Sequence, residues 1–138
     1  MPHSVEEIEA RLRANGLSLT PQRRAIVRHL LGSANHPTAA QVLEGITREF
    51  PMASRATVYT TLALLRDLEV VSEVPGPGNE LRFDPNPDPH QHFCCTRCGR
   101  LEDVPDECFP VSVASDRRLP FQVSRFRIVA EGLCADCS

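Results

Sequence analysis

The sequence predicts an α+β fold in two parts, a helical N-terminal half closed by a hairpin and a smaller C-terminal half of mixed strand and helix held by metal. Three observations carry this. Four stretches with apolar residues at helical spacing fill the first half, each with a start or stop signal. The run Asp84-Pro85-Asn86-Pro87-Asp88-Pro89 can continue neither helix nor sheet. Beyond it, two Cys-x-x-Cys pairs, Cys95/Cys98 and Cys134/Cys137, supply the four thiolates of a closed tetrahedral zinc site.

Val5, Ile8 and Leu12 recur at helical spacing up to Asn15-Gly16, a helix stop. Thr20-Pro21 caps a second helix with Ala25, Ile26, Leu30 and Leu31 as its apolar stripe. Thr38-Ala39-Ala40-Gln41 reads as a capping box, and Val42, Ile46 and Phe50 continue that helix to Pro51. Ser54 caps a fourth helix through about Glu69, with Val58, Thr61, Leu64, Leu65 and Leu68 on its core side. Arg55, Tyr59 and Arg66 fall within roughly 40° of one another on the other side. Val70 to Val74, a Pro75-Gly76-Pro77-Gly78-Asn79 turn and Glu80 to Phe83 form a hairpin.

Helices followed by a small hairpin make a winged helix-turn-helix. It places the start of the fourth helix in a major groove, with Arg55 and Tyr59 at bases and Arg66 or the wing at phosphate. A solvated amphipathic helix has the same periodicity, and Tyr59 suits a packed domain edge equally. Charge does not decide between them. The net charge is −3, residues 1 to 83 carry nine Arg against nine Asp/Glu, and residues 84 to 138 carry six against nine. There is no lysine, so every fixed cation is a guanidinium suited to bidentate contact with phosphate or guanine.

The domains expected are a DNA-binding winged helix over 1–83, a hinge over 84–90 and a dimerisation and metal-binding domain over 91–138. In the last, Phe93 to Cys95, Leu101 to Val104 and Phe121 to Ala130 read as strands. Pro105, Pro110 and Pro120 leave room for only a short helix within 106–118. A unit this small leans on zinc and on a partner subunit. With no run of about 18 apolar residues and no charged-then-apolar leader, the expectation is a cytoplasmic protein without membrane contact. In a reducing compartment the six cysteines are better read as metal ligands than as disulfides, with Cys94 and Cys108 spare. A dithiol redox pair at Cys95/Cys98 is the alternative.

His90 and His92, one residue apart, project to one face of a strand, and Asp84 and Asp103 flank them with charge. Nitrogen and oxygen ligands without thiolate suit Fe(II) or Mn(II) better than a closed zinc site. His36, expected at the end of the second helix, would tie the first half to the second through one ion.

The order of winged helix, hinge, His-x-His-x-x-Cys-x-x-Cys-Gly, acidic residue and terminal Cys-x-x-Cys-Ser resembles the ferric uptake regulator family over nearly the whole chain. The resemblance implies a homodimeric, metal-dependent transcriptional repressor that binds palindromic operator DNA when its regulatory metal closes two winged helices into a caliper, and no enzyme. The peroxide-sensing branch is the nearest match. Its three histidines and two aspartates correspond to His36, Asp84, His90, His92 and Asp103, where iron-sensing members tend to carry glutamate at the position of Asp84. The resemblance further implies that Fe(II) in this site reacts with hydrogen peroxide and that His36 or His90 is oxidised, whereas Mn(II) gives a peroxide-resistant repressor. Structural zinc at the four cysteines is implied throughout.

Three departures from the family pattern stand out. Ser124-Arg125-Phe126 lacks the histidine that completes an additional metal site in many members. Glu102 competes with Asp103 as ligand, and Pro110 breaks the longer helix of the dimerisation half. The rival readings are an iron- or manganese-responsive uptake regulator that ignores peroxide, a zinc-stapled thiol redox protein, and a zinc-stapled interaction module without DNA function.

Overall fold

A computed structural model describes residues 3–33 and 36–138 and divides the chain into two compact units, Met1–Asp88 and Pro89–Ser138. The first is built of helices α1 (Val5–Ala14), α2 (Pro21–Gly32), α3 (Ala39–Ile46) and α4 (Arg55–Asp67), and strands β1 (Ser72–Pro75) and β2 (Leu81–Asp84). Each helix starts where a side-chain oxygen caps a free backbone N–H. Ser4 accepts from Glu7, Thr20 from Arg23, Thr38 from Gln41 and Ser54 from Thr57. At Ser4 and Thr38 the third helical residue bonds back, completing the reciprocal box.

Two helices end in the same left-handed device. Leu17 N donates to Leu12 O at 2.9 Å across Gly16, whose φ is 74°. Val70 N donates to Leu65 O at 2.9 Å across Glu69, which holds φ 57° without being glycine. The second device explains a difference from expectation. Val70 and Val71 do not begin a strand; the turn tucks both into the core, and β1 starts at Ser72. Regular α3 likewise stops at Ile46, and a turn in which Phe50 N donates to Ile46 O at 2.8 Å covers the last residues before Pro51.

The core gathers Leu12, Ile26, Val42, Val58, Leu62 and Leu65 from all four helices, sealed by Val70, Val71 and Phe83. The hairpin pairs antiparallel with Ser72 opposite Asp84. It is sewn to the α2–α3 connection: Phe83 N donates to Pro37 O at 3.0 Å, and the Arg82 guanidinium donates to His36 O at 3.2 Å. His36 is therefore not on the second helix, which ends at Gly32; it sits in the connection with φ 50°.

The second unit is a three-stranded sheet in the order β4-β3-β5, from β3 (His90–Cys95), β4 (Leu101–Pro105) and β5 (Val129–Gly132). β3 runs antiparallel to β4 and parallel to β5. It begins at His90, three residues before the expected strand start. The expected strand over 121–130 is realised only from Val129, and the expected helix within 106–118 is one 3-10 turn, Asp106–Cys108. Between them, residues 109–128 form neither helix nor strand and leave Val111, Val113, Leu119, Phe121, Val123 and Phe126 exposed. Strand propensity becomes a strand only where a neighbouring edge offers hydrogen bonds and a face to bury. No described helix is long and apolar enough to cross a membrane.

Leu62 is fully enclosed and Leu81 is 46% exposed. Leu62→Ala should destabilise the first unit by about 2–5 kcal/mol, and Leu81→Ala by less than about 0.5 kcal/mol, measured by urea unfolding.

Candidate metal centres and nucleic-acid face

The cysteine centre is a consequence of strand pairing. β3 and β5 run parallel with Cys95 opposite Gly132, so the chain leaves both strands at the same end of the sheet and turns there twice. After β3, Gly99 at φ 77° turns the chain back, with Gly99 N donating to Cys95 O at 2.9 Å. After β5, Cys137 N and Ser138 N both donate to Cys134 O. The two turns are cross-bonded: Thr96 N donates to Gly132 O at 2.8 Å, Arg97 to Cys137 O at 3.0 Å, and Arg100 pairs with Asp136 at 3.2 Å.

The sulfurs of Cys95, Cys98, Cys134 and Cys137 lie within 4.8 Å of one another, and those of Cys98 and Cys134 are 3.8 Å apart. A tetrahedron with metal–sulfur bonds of about 2.3 Å has edges of about 3.8 Å, so the donor set fits zinc. The electrostatics agree with a site built around a cation. Backbone N–H groups of Cys98 and Cys134 draw the Cys95 thiol down to about 6. A hydrogen bond with the Cys134 sulfur, then burial, pushes the Cys137 thiol up to about 12. Four thiolates this close need a dication to balance them.

The histidine and aspartate residues form one group in each unit. In the first, the stitching of the α2–α3 connection to β2 sets His36 Nε2 3.3 Å from Asp84 Oδ2, both side chains almost fully buried. The other Asp84 oxygen accepts from Asn86 N at 2.9 Å, which fixes the carboxylate with one edge toward the imidazole. In the second, His90 and His92 share a face of β3, and His92 stands directly opposite Asp103 on β4. The Nε2 atoms of the two histidines are 3.2 Å apart, and Asp103 Oδ1 is 3.5 Å from the first and 3.4 Å from the second. Neighbouring ligands around a six-coordinate ion with bonds near 2.1 Å are about 3 Å apart, and both groups approach that spacing. Glu102 alternates away from Asp103 along β4 and pairs with Arg100 at 3.3 Å.

Gln91 is the residue that sequence reading missed. It lies between the two histidines, points to the opposite face and is buried. Its amide donates to Asp106 Oδ1 at 2.8 Å and to Phe126 O at 3.3 Å, and its oxygen accepts from Ile128 N at 2.7 Å. A glutamine inside an alternating strand is the only sequence signal, and polar strand residues usually face water.

On α4, Val58, Leu62 and Leu65 are buried, while Arg55 is exposed and Tyr59 is 52% exposed, which leaves its ring open to a contact outside the core. Arg66 is engaged differently. Its guanidinium contacts Glu73 of β1 at 2.8 Å and Asp67 at 3.1 Å, and these carboxylates raise its already high pKa.

The model of the ferric uptake regulator family matches residues 14–115. A peroxide-responsive repressor, PerR, of Staphylococcus saprophyticus is 35% identical over 136 residues, which cover 98% of this chain and 92% of that protein. Among solved structures, PerR from Streptococcus pyogenes is 26% identical with a TM-score of 0.57, covering all of this chain and 96% of that one. The Helicobacter pylori ferric uptake regulator matches with a TM-score of 0.75 at 20% identity, covering 98% and 94%.

Cys134→Ser should lose the tightly held metal and the cooperative unfolding of the second unit while the first unit keeps its transition. Metal analysis and thermal unfolding followed by circular dichroism measure both.

Proposed function

The chain belongs to the ferric uptake regulator family, as a metal-dependent repressor, and we propose that hydrogen peroxide ends its hold on operator DNA by oxidising a histidine ligand of its regulatory metal. The observation that supports this most is the pair of incomplete ligand groups. His36 with Asp84 offers two donors, and His90, His92 and Asp103 offer three. Neither group alone would hold Fe(II) or Mn(II) firmly, and together they would offer five nitrogen and oxygen donors. The relatives' description as peroxide-responsive repressors supports the same reading.

Zinc at Cys95, Cys98, Cys134 and Cys137 holds the fold of the second unit, and Fe(II) or Mn(II) at His36, Asp84, His90, His92 and Asp103 regulates. The segment 84–90 acts as the hinge. Six residues on from Asp84, His90 is never more than about 20 Å away even in a fully extended chain, so the second group is presented to the first at high effective concentration. Asp84, fixed by Asn86 N, and His36, held through its carbonyl by Arg82, then fasten the winged helix to the second unit. In a homodimer this fixes the separation of two α4 helices and matches it to operator half-sites. Arg55 and Tyr59 meet base edges. A phosphate contact by Arg66 requires exchange of its pairing with Glu73.

Held by His36, Asp84, His90, His92 and Asp103, Fe(II) would supply the redox catalysis by which hydrogen peroxide transfers one oxygen to the ring of His36 or His90, the other oxygen leaving as water and the iron returning to Fe(II). An imidazole so altered is a poorer ligand, so the two groups separate and the winged helices lose their fixed spacing. The resemblance to the peroxide-sensing branch at Asp84, where iron-sensing members tend to carry glutamate, favours this reading over a pure metal-supply sensor, which would keep its DNA after peroxide.

Operator binding by the zinc-loaded dimer, with Fe(II) or Mn(II), before and after brief peroxide, tests the function. Only the Fe(II) form should release DNA, with one oxygen added to the His36 or His90 peptide and the four zinc cysteines unmodified. Release of neither form makes this a metal-supply regulator. Asp84→Glu should retain metal-activated binding and lose most of the peroxide response. Arg55→Ala with Tyr59→Ala should weaken operator binding at least tenfold with zinc content unchanged, measured by fluorescence anisotropy.

A further inference from the structure

We propose that Gln91 is a positioning residue for the regulatory half-site and couples metal occupancy to the order of the exposed apolar segment 119–126; this rests on His90, His92 and Asp103 being metal ligands. Gln91 makes its three hydrogen bonds on the face of β3 opposite the histidines. Two of them copy a strand: its amide N–H and oxygen serve Phe126 O and Ile128 N as a neighbouring peptide would, just where β5 begins at Val129. The backbone continues the pattern, with His92 N donating to Ile128 O at 3.1 Å. The third bond reaches Asp106, in the turn that follows β4.

One buried amide therefore joins the turn that precedes the irregular stretch 109–128, and the last residues of that stretch, to the strand that carries the histidines. Leu119, Phe121, Val123 and Phe126 are exposed along that stretch, and none of the described hydrogen bonds except those at Phe126 and Ile128 fix its C-terminal half to the sheet. The backbone of β3 between His90 and His92 is held from behind by the same bonds. A change in the twist of β3 moves both rings and both anchor points together. Occupancy of the half-site and anchoring of the segment thus share one element, and linkage makes their influence on each other reciprocal.

The test compares wild type, Gln91→Leu, Asp106→Ala and His92→Ala, all zinc-loaded and full length. Mn(II) affinity is measured by electron paramagnetic resonance of free Mn(II), and hydrogen exchange of residues 119–130 is followed with and without Mn(II). Gln91→Leu keeps the volume and removes all three bonds. Asp106→Ala removes one bond at an exposed position and serves if Gln91→Leu fails to fold. Wild type should gain protection in 119–130 on binding Mn(II). Gln91→Leu should bind Mn(II) about tenfold more weakly and Asp106→Ala about threefold, each with zinc stoichiometry retained and with the Mn(II)-dependent protection reduced. Unchanged Mn(II) affinity in the variants, or weakened affinity with the protection gain intact, overturns the proposal. If instead wild type binds Mn(II) no better than His92→Ala, the regulatory site itself is wrongly assigned.

Discussion

The parallel pairing of β5 with β3 is the constraint on which the second unit depends. Fifty residues with an exposed, irregular stretch of twenty cannot bury enough apolar surface to fold alone. What they have instead is a central strand whose two ends carry two kinds of chemistry: His90 and His92 at the start, Cys95 at the finish. Pairing β5 alongside brings Cys134 and Cys137 to Cys95 and Cys98, so that zinc affinity becomes folding free energy. Zinc sites of this closed kind leave no open position for a reactant. The chemistry proposed with peroxide sits at the other end of the strand, at His90 and His92, away from the four thiolates.

The first unit makes the complementary provision. It is held by an ordinary core and by caps, yet its two candidate ligands come from places with little regular structure. His36 lies in a left-handed conformation in a connection, and Asp84 lies at the last position of the wing. Two hydrogen bonds between that connection and β2, Phe83 N to Pro37 O and Arg82 to His36 O, lock the two together. The proposed regulatory ion would thereby hold the winged helix at a rigid point, with none of its candidate ligands on α4.

The helices were legible in the sequence because each begins at a capping residue and ends at glycine, proline or a polarity change; Thr38 with Gln41 is an instance. The cysteine centre was legible because Cys-x-x-Cys needs only a tight turn. What failed depended on tertiary context. Val70 and Val71 have strand-forming side chains, but the turn at Glu69 needed them in the core. Phe121 to Ile128 has strand composition without a neighbour to pair with, so only Val129–Gly132 found the edge of β3. The position of His36 followed from hydrogen bonds to a hairpin more than forty residues away, and the role of Gln91 from partners on two other segments. Neither leaves a local pattern.

The central claim is that one ion joins ligands from both units. Small-angle X-ray scattering of the zinc-loaded protein, with and without Mn(II), tests it most directly, with His92→Ala as the control. Shared coordination predicts that Mn(II) narrows the distribution of interatomic distances to that of one compact particle and has no effect on the control. Identical scattering with and without Mn(II), under conditions where Mn(II) is bound, would contradict it.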